Sequence, residues 1–181
     1  MLVKILNYRE NIYVCWYAAE SLGKIAPVGN KKAIKALVKI LDCYRHWGIC
    51  QEAAESLGKI APVGNKKAIA ALLQLLSSSE DEMLNYSDKN ELFWICIKAK
   101  AAAKSLGKIT PVGNKKVIAS LVQLLHSSEN KLSCWNERLT TRDKWTLAKI
   151  DELIYRTAES LTKIDSGNKE AIVSKNTALS W

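Results

Sequence analysis

Ala53 to Leu76 reads AAESLGKIAPVGNKKAIAALLQLL, and 35 residues upstream Ala18 to Leu41 reads AAESLGKIAPVGNKKAIKALVKIL, identical at 20 of 24 positions. Ala102 to Leu125 repeats the pattern as AAKSLGKITPVGNKKVIASLVQLL, and a decayed fourth copy begins at Thr157 as TAESLTKIDSGNKEAIV. Self-similarity of this kind marks stacked supersecondary units and outranks any local propensity argument. Each copy parses into two helices. The first ends at Ile25, Ile60, Ile109 or Ile164, and in three copies Pro27, Pro62 or Pro111 follows two residues later, where a helix cannot continue. Asn30, Asn65, Asn114 and Asn168 then stand where a side chain can cap the open amides of the second helix.

The apolar spacing is helical. Cys15, Ala19, Leu22 and Ile25 share one face of a first helix, and Ile34, Leu37, Val38 and Leu41 share one face of a second. A single hairpin cannot bury both stripes, so the copies must stack. The expected fold is an all-α solenoid of about four helical hairpins, a single domain over 1–181 with copies near 8–42, 43–77, 92–126 and 147–179. The period grows from 35 to 49 to 55 residues. The extra length falls at 77–91 and 126–144, which are rich in Ser, Asn, Asp, Glu and Lys and read as inserted loops leaving one edge. Leu2–Leu6 spells LVKIL, as does Leu37–Leu41, so a partial helix of a preceding copy is expected to lead the array, which then reads as the C-terminal part of a longer one. Lys175, Asn176 and Thr177 replace mostly apolar residues in the last helix, as a cap requires.

Composition narrows the function classes. Of 181 residues 48% are hydrophobic, which is ample for a continuous core, and the net charge of +9 points toward acidic partners. No apolar run reaches the roughly 18 residues of a membrane span, and the first residues lack a signal peptide's apolar core, so a cytoplasmic chain is expected. The five cysteines include no Cys-x-x-Cys pair and read as small buried hydrophobes.

The AAESLGKI…GN..AI.ALVQLL pattern resembles the HEAT-like repeats called phycobilisome-lyase-type, over nearly the whole chain. The resemblance implies a right-handed superhelix of antiparallel helix pairs of the armadillo/HEAT kind, with a protein-binding groove. Such repeats occur in bilin lyase subunits, in phycobilisome-handling proteins and C-terminal to NACHT-type signalling NTPases. Lys-Lys follows the turn Asn three times here, where relatives often carry Pro-Glu, and no P-loop motif is present.

Little in the chain suggests catalysis. Cys43, His46 and Cys50 stand at i, i+3 and i+7, a spacing one helix face could use for a metal. Yet Cys43 aligns with Tyr8, Leu92 and Leu147, and Cys50 with Cys15, Ala99 and Ile154, all core positions, and no fourth ligand is evident. His46 and His126 have no recognisable orienting acid, and Glu20, Glu55 and Glu159 recur at one repeat position rather than forming a dyad. No catalytic residue, metal or cofactor is therefore assigned.

Lysines are the informative polar feature. Lys24, Lys31 and Lys32, then Lys59, Lys66 and Lys67, then Lys108, Lys115 and Lys116, cluster at the turns within copies, with Lys163 and Lys169 after them. Stacking would align them in a basic ridge. Lysine at the first positions of a helix opposes its dipole, so helix stability does not account for the choice. Two readings stand: a surface for an acidic partner, or a solvated edge copied by duplication. Among six tryptophans, Trp16, Trp47 and Trp94 read as core anchors, whereas Trp135 and Trp145 near the second insertion read as contact residues. The expected role is a protein-binding scaffold of a signalling or phycobilisome-related protein. The alternatives are a nucleic-acid-binding basic solenoid and a subunit of a phycobilin lyase.

Overall fold

The computed structural model describes residues 11–43, 46–85, 89–136 and 144–166, with the side chains of 89, 132–136, 144–145 and 147 outside that description. Every regular element in these residues is an α-helix: α1 (Ile12–Ile25), α2 (Lys31–Cys43), α3 (Trp47–Ile60), α4 (Lys66–Asn85), α5 (Lys89–Ile109), α6 (Lys115–Asn136) and α7 (Lys144–Ile164). The leading partial helix, and the fourth copy's second helix with its Asn168 cap, fall outside the described residues.

The asparagine caps form as the sequence suggests. Asn30, Asn65 and Asn114 accept from the backbone N–H of Ala33, Ala68 and Val117 at 3.1, 3.1 and 3.2 Å. Upstream of each cap stands a glycine with φ of +85, +82 or +78°, at Gly29, Gly64 and Gly113. Only glycine enters that region without strain, and it turns the chain into the next helix.

Helices α1, α3, α5 and α7 pack side by side as one layer, and α2, α4 and α6 form the second. The closely packed antiparallel partners are α2 with α3, α4 with α5, and α6 with α7. The two helices of one repeat unit, such as α1 and α2, scarcely touch. The close antiparallel pairs thus join the second helix of one copy to the first helix of the next. Ala26, at the end of α1, is already extended (ψ 130°), so the Pro-Val-Gly-Asn turn carries α2 away from α1.

The inserted loops are corrected. Ser77–Asn85 continues α4, α5 begins at Lys89, and His126–Asn136 continues α6. Helix α4 has 20 residues against 13 in α2, and α5 has 21 against 14 in α3, so the lengthened period becomes about two extra turns on each helix. The serines fit because they cover their own polarity. Ser79 and Ser128, both fully buried, donate to the carbonyls of Leu75 and Leu124 one turn back, at 2.7 Å each. Leu72, Leu76, Ser79 and Met83 thus carry one buried stripe to the end of α4.

The core runs without a break from Cys15 to Ile164. Two sequence assignments to it fail. Ile25 is 69% exposed although Ile60, Ile109 and Ile164 are 1% exposed, and Cys43 ends α2 in an exposed position. No helix among the described residues is long and apolar enough to cross a membrane.

Candidate binding surfaces

Three identical backbone bonds set the geometry of the turn edge. The N–H of Gly29 donates to the carbonyl of Ile60 at 2.8 Å, Gly64 to Ile109 at 2.8 Å, and Gly113 to Ile164 at 2.9 Å. Each turn is thereby fixed to the end of the next copy's first helix, and the three turns stand in a row. The bond satisfies a helix-end carbonyl that has no partner within its own helix.

The ridge follows from that row. Lys24, Lys31, Lys32, Lys59, Lys66, Lys67, Lys108, Lys115 and Lys116 are all exposed beside it. These nine of the lysines singled out from sequence thus lie along one edge, and Lys169 lies outside the described residues. Their charges are not equally balanced. Lys24 reaches Glu20 at 2.5 Å and Lys163 reaches Glu159 at 3.0 Å, each one turn back. In the third copy Lys104 takes the glutamate's place. Partial burial holds the Lys108 ammonium below its ordinary value, and the charges of Lys104, Lys59 and Lys163 push it the same way, against Glu55. Lys104 stands where the other copies carry Glu20, Glu55 and Glu159, a departure legible by reading the third copy's AAKSLGKI against AAESLGKI.

A second surface was not assigned from sequence. At the end of α1 and α3 away from the turns lies an aromatic groove of about 420 Å³, lined by Tyr13, Trp16, Tyr17, Trp47, Gln51 and Glu52 among others. Trp47 stacks on Trp94 of α5, with ring centroids 3.7 Å apart and planes 15° apart. Trp16, Trp47 and Trp94 are half-buried, not interior anchors. The excess of tryptophans was the available signal for this groove. Glu52 sits at its edge with a carboxyl raised above the usual range, by burial first and by the charge of Glu55 second. The side chains of Trp135 and Trp145 lie outside the described residues.

Cys43, His46 and Cys50, to which no metal was assigned from sequence, form no metal-holding group among the described residues. Cys50 is buried, with burial pushing its thiol up to about 11, whereas Cys43 is exposed at the end of the preceding helix. His46 precedes α3, makes no side-chain cap bond and stacks on Trp47.

No curated protein and no solved structure matches the chain. Residues 1–86 match the family model described as HEAT repeats. That match and the all-helical repeated architecture of the described residues together support a HEAT-repeat protein.

Proposed function

We propose that the chain is a non-catalytic protein-binding scaffold whose turn edge docks an acidic partner. The observation that carries this reading is a row of exposed lysine pairs at Lys31, Lys66 and Lys115 and the residues after them, set along one edge by the bonds from Gly29, Gly64 and Gly113 to the carbonyls of Ile60, Ile109 and Ile164. Folding alone would favour glutamate at the place of Lys104, as in the three other copies. A long acidic segment lying across the ridge would relieve the repulsion at every copy. Equivalent lysines on stacked helices stand about 10 Å apart, near a Debye length at physiological salt, so they act jointly on such a ligand.

The likeness of the repeats to phycobilisome-lyase-type arrays supports a wider setting. In that setting the chain is the C-terminal part of a longer array in a cytoplasmic signalling or phycobilisome-related protein. The second reading is a nucleic-acid-binding solenoid, favoured by the same charge.

A titration separates the two. The probes are a fluorescent poly-glutamate peptide and a single-stranded oligonucleotide of equal charge, each followed across a salt series. The scaffold reading expects saturable binding of the peptide and no tighter binding of the oligonucleotide. Tighter oligonucleotide binding, with a steep salt slope from counterion release, would establish the nucleic-acid reading instead.

A further inference from the structure

The turn edge repeats an apolar feature beside its lysine pairs. Each of the first three copies turns through Pro-Val-Gly-Asn, beginning at Pro27, Pro62 and Pro111. The N–H of Asn30 donates to the Pro27 carbonyl and that of Asn65 to the Pro62 carbonyl, both at 3.1 Å, which closes a four-residue β-turn. Its two corner residues are a valine and a glycine, so the valine supplies the side chain at the tip. Val28 is 68%, Val63 67% and Val112 81% exposed, and the prolines before them are exposed as well.

The bonds from Gly29, Gly64 and Gly113 to the next copy align these valines as they align the lysines. Neighbouring turns also come close, since a β-carbon on Gly64 would stand 3.7 Å from Cγ of Pro111. The fourth copy reads Asp165-Ser166-Gly167-Asn168, with neither proline nor valine, so the apolar strip is three turns long. Packing does not call for valine at these tips, because none of the three is buried, and a turn corner is ordinarily polar, glycine or proline. Single exposed apolar residues are common on any surface. Three in register beside three lysine pairs give this edge a mixed apolar and basic character.

We propose that the turn edge binds an extended acidic protein segment that carries an apolar side chain for each acidic one, with Val28, Val63 and Val112 as its apolar contacts. Resting on the reading of the lysine edge as the docking surface, this assigns to the valines the choice between a protein partner and a bare polyanion. Lysine attracts any anion, a phosphate chain included, whereas an exposed valine favours a partner with apolar surface to bury. Stacked helices stand about 10 Å apart. Three residues of a polyproline-II chain rise about 9 Å and return to the same face. A segment with a three-residue repeat thus sets one apolar residue against each valine and one carboxylate against each lysine pair.

The test compares two fluorescent peptides of equal charge, five repeats of Leu-Glu-Ser and five of Ser-Glu-Ser. Each is titrated against the full chain and against a Val28→Ser, Val63→Ser, Val112→Ser variant of it. The wild-type chain should bind the leucine peptide about tenfold or more tighter than the serine peptide. The variant should melt as the wild type does, bind the serine peptide unchanged, and lose the preference. Equal affinity of the wild-type chain for both peptides overturns the proposal and leaves the lysine edge standing, as does a preference that survives in the variant. Failure of both peptides to bind overturns the reading of the lysine edge itself, and the proposal with it.

Discussion

Gly58 of α3 lies so close to Ser105 of α5 that a β-carbon on the glycine would sit 2.8 Å from that of the serine. The same pairing joins Gly23 to Ser56 and Gly107 to Ser160, with Ser56 also donating to the Ala19 carbonyl at 2.9 Å. The Ser-Leu-Gly sequence is thus a ratchet: each serine occupies the gap left by the previous copy's glycine. It sets how closely the helices of the layer approach, and hence how the turn edges align.

Gly58→Ala should destabilise the chain although alanine is the better helix former. Overpacking costs about 1–3 kcal/mol, against a gain of roughly 1 kcal/mol in helix propensity. The measured unfolding free energy should fall, by up to about 2 kcal/mol. Ser105→Gly in the same chain should recover part of the loss, because the serine's β-carbon is itself the obstacle. A stabilised Gly58→Ala chain would show that the close approach is not required.

Glu52 predicts a pH dependence. Burial and the neighbouring charge of Glu55 raise its folded carboxyl above the unfolded value. The ionised group therefore costs stability at neutral pH, and the cost disappears as pH falls through the folded value to below the unfolded one. Glu52→Gln should raise the melting temperature at pH 7 and leave it unchanged near about pH 3.5, where both states are protonated. An equal gain at both pH values would assign the effect to packing.

Cysteine reactivity should divide by burial. Burial raises the thiols of Cys50 and Cys96 to about 11 and about 12, so neither offers thiolate at neutral pH. Cys43 is exposed. Iodoacetamide at pH 8, read by peptide mass spectrometry, should label Cys43 in the folded chain and Cys50 and Cys96 only after denaturation. Native labelling of Cys50 at the rate of Cys43 would contradict the packing described for α3.

The repeat made much of this legible. Pro27, Gly29 and Asn30 recur where only a turn tolerates all three, so the helix ends and caps could be read directly. Which helices pack together could not be read. Whether α2 leans on α1 or on α3 depends on the direction the turn imposes, not on the apolar stripes. The serine-rich insertions misled because composition alone does not show that Ser79 and Ser128 bond back to their own helices. Exposure at Ile25 was hidden for the opposite reason, since its residue type matches three buried isoleucines and only its place in the stack differs. The nine lysines were found because identical copies place identical residues on one edge. Lys104 was passed over because it departs from the copy.

The central claim is that the lysine edge binds an acidic partner, and the triple variant Lys31→Glu, Lys66→Glu, Lys115→Glu tests it most directly. Each substitution reverses a charge at the first residue of α2, α4 or α6, where a carboxylate suits the helix dipole by a few tenths of a kcal/mol, roughly 0.3–1. Affinity for the poly-glutamate peptide should be lost, while the melting temperature stays unchanged or rises slightly. Wild-type affinity in a fully folded triple variant would contradict the claim, leaving the ridge as a solvated edge and the aromatic groove beside Trp47 as the surface to examine.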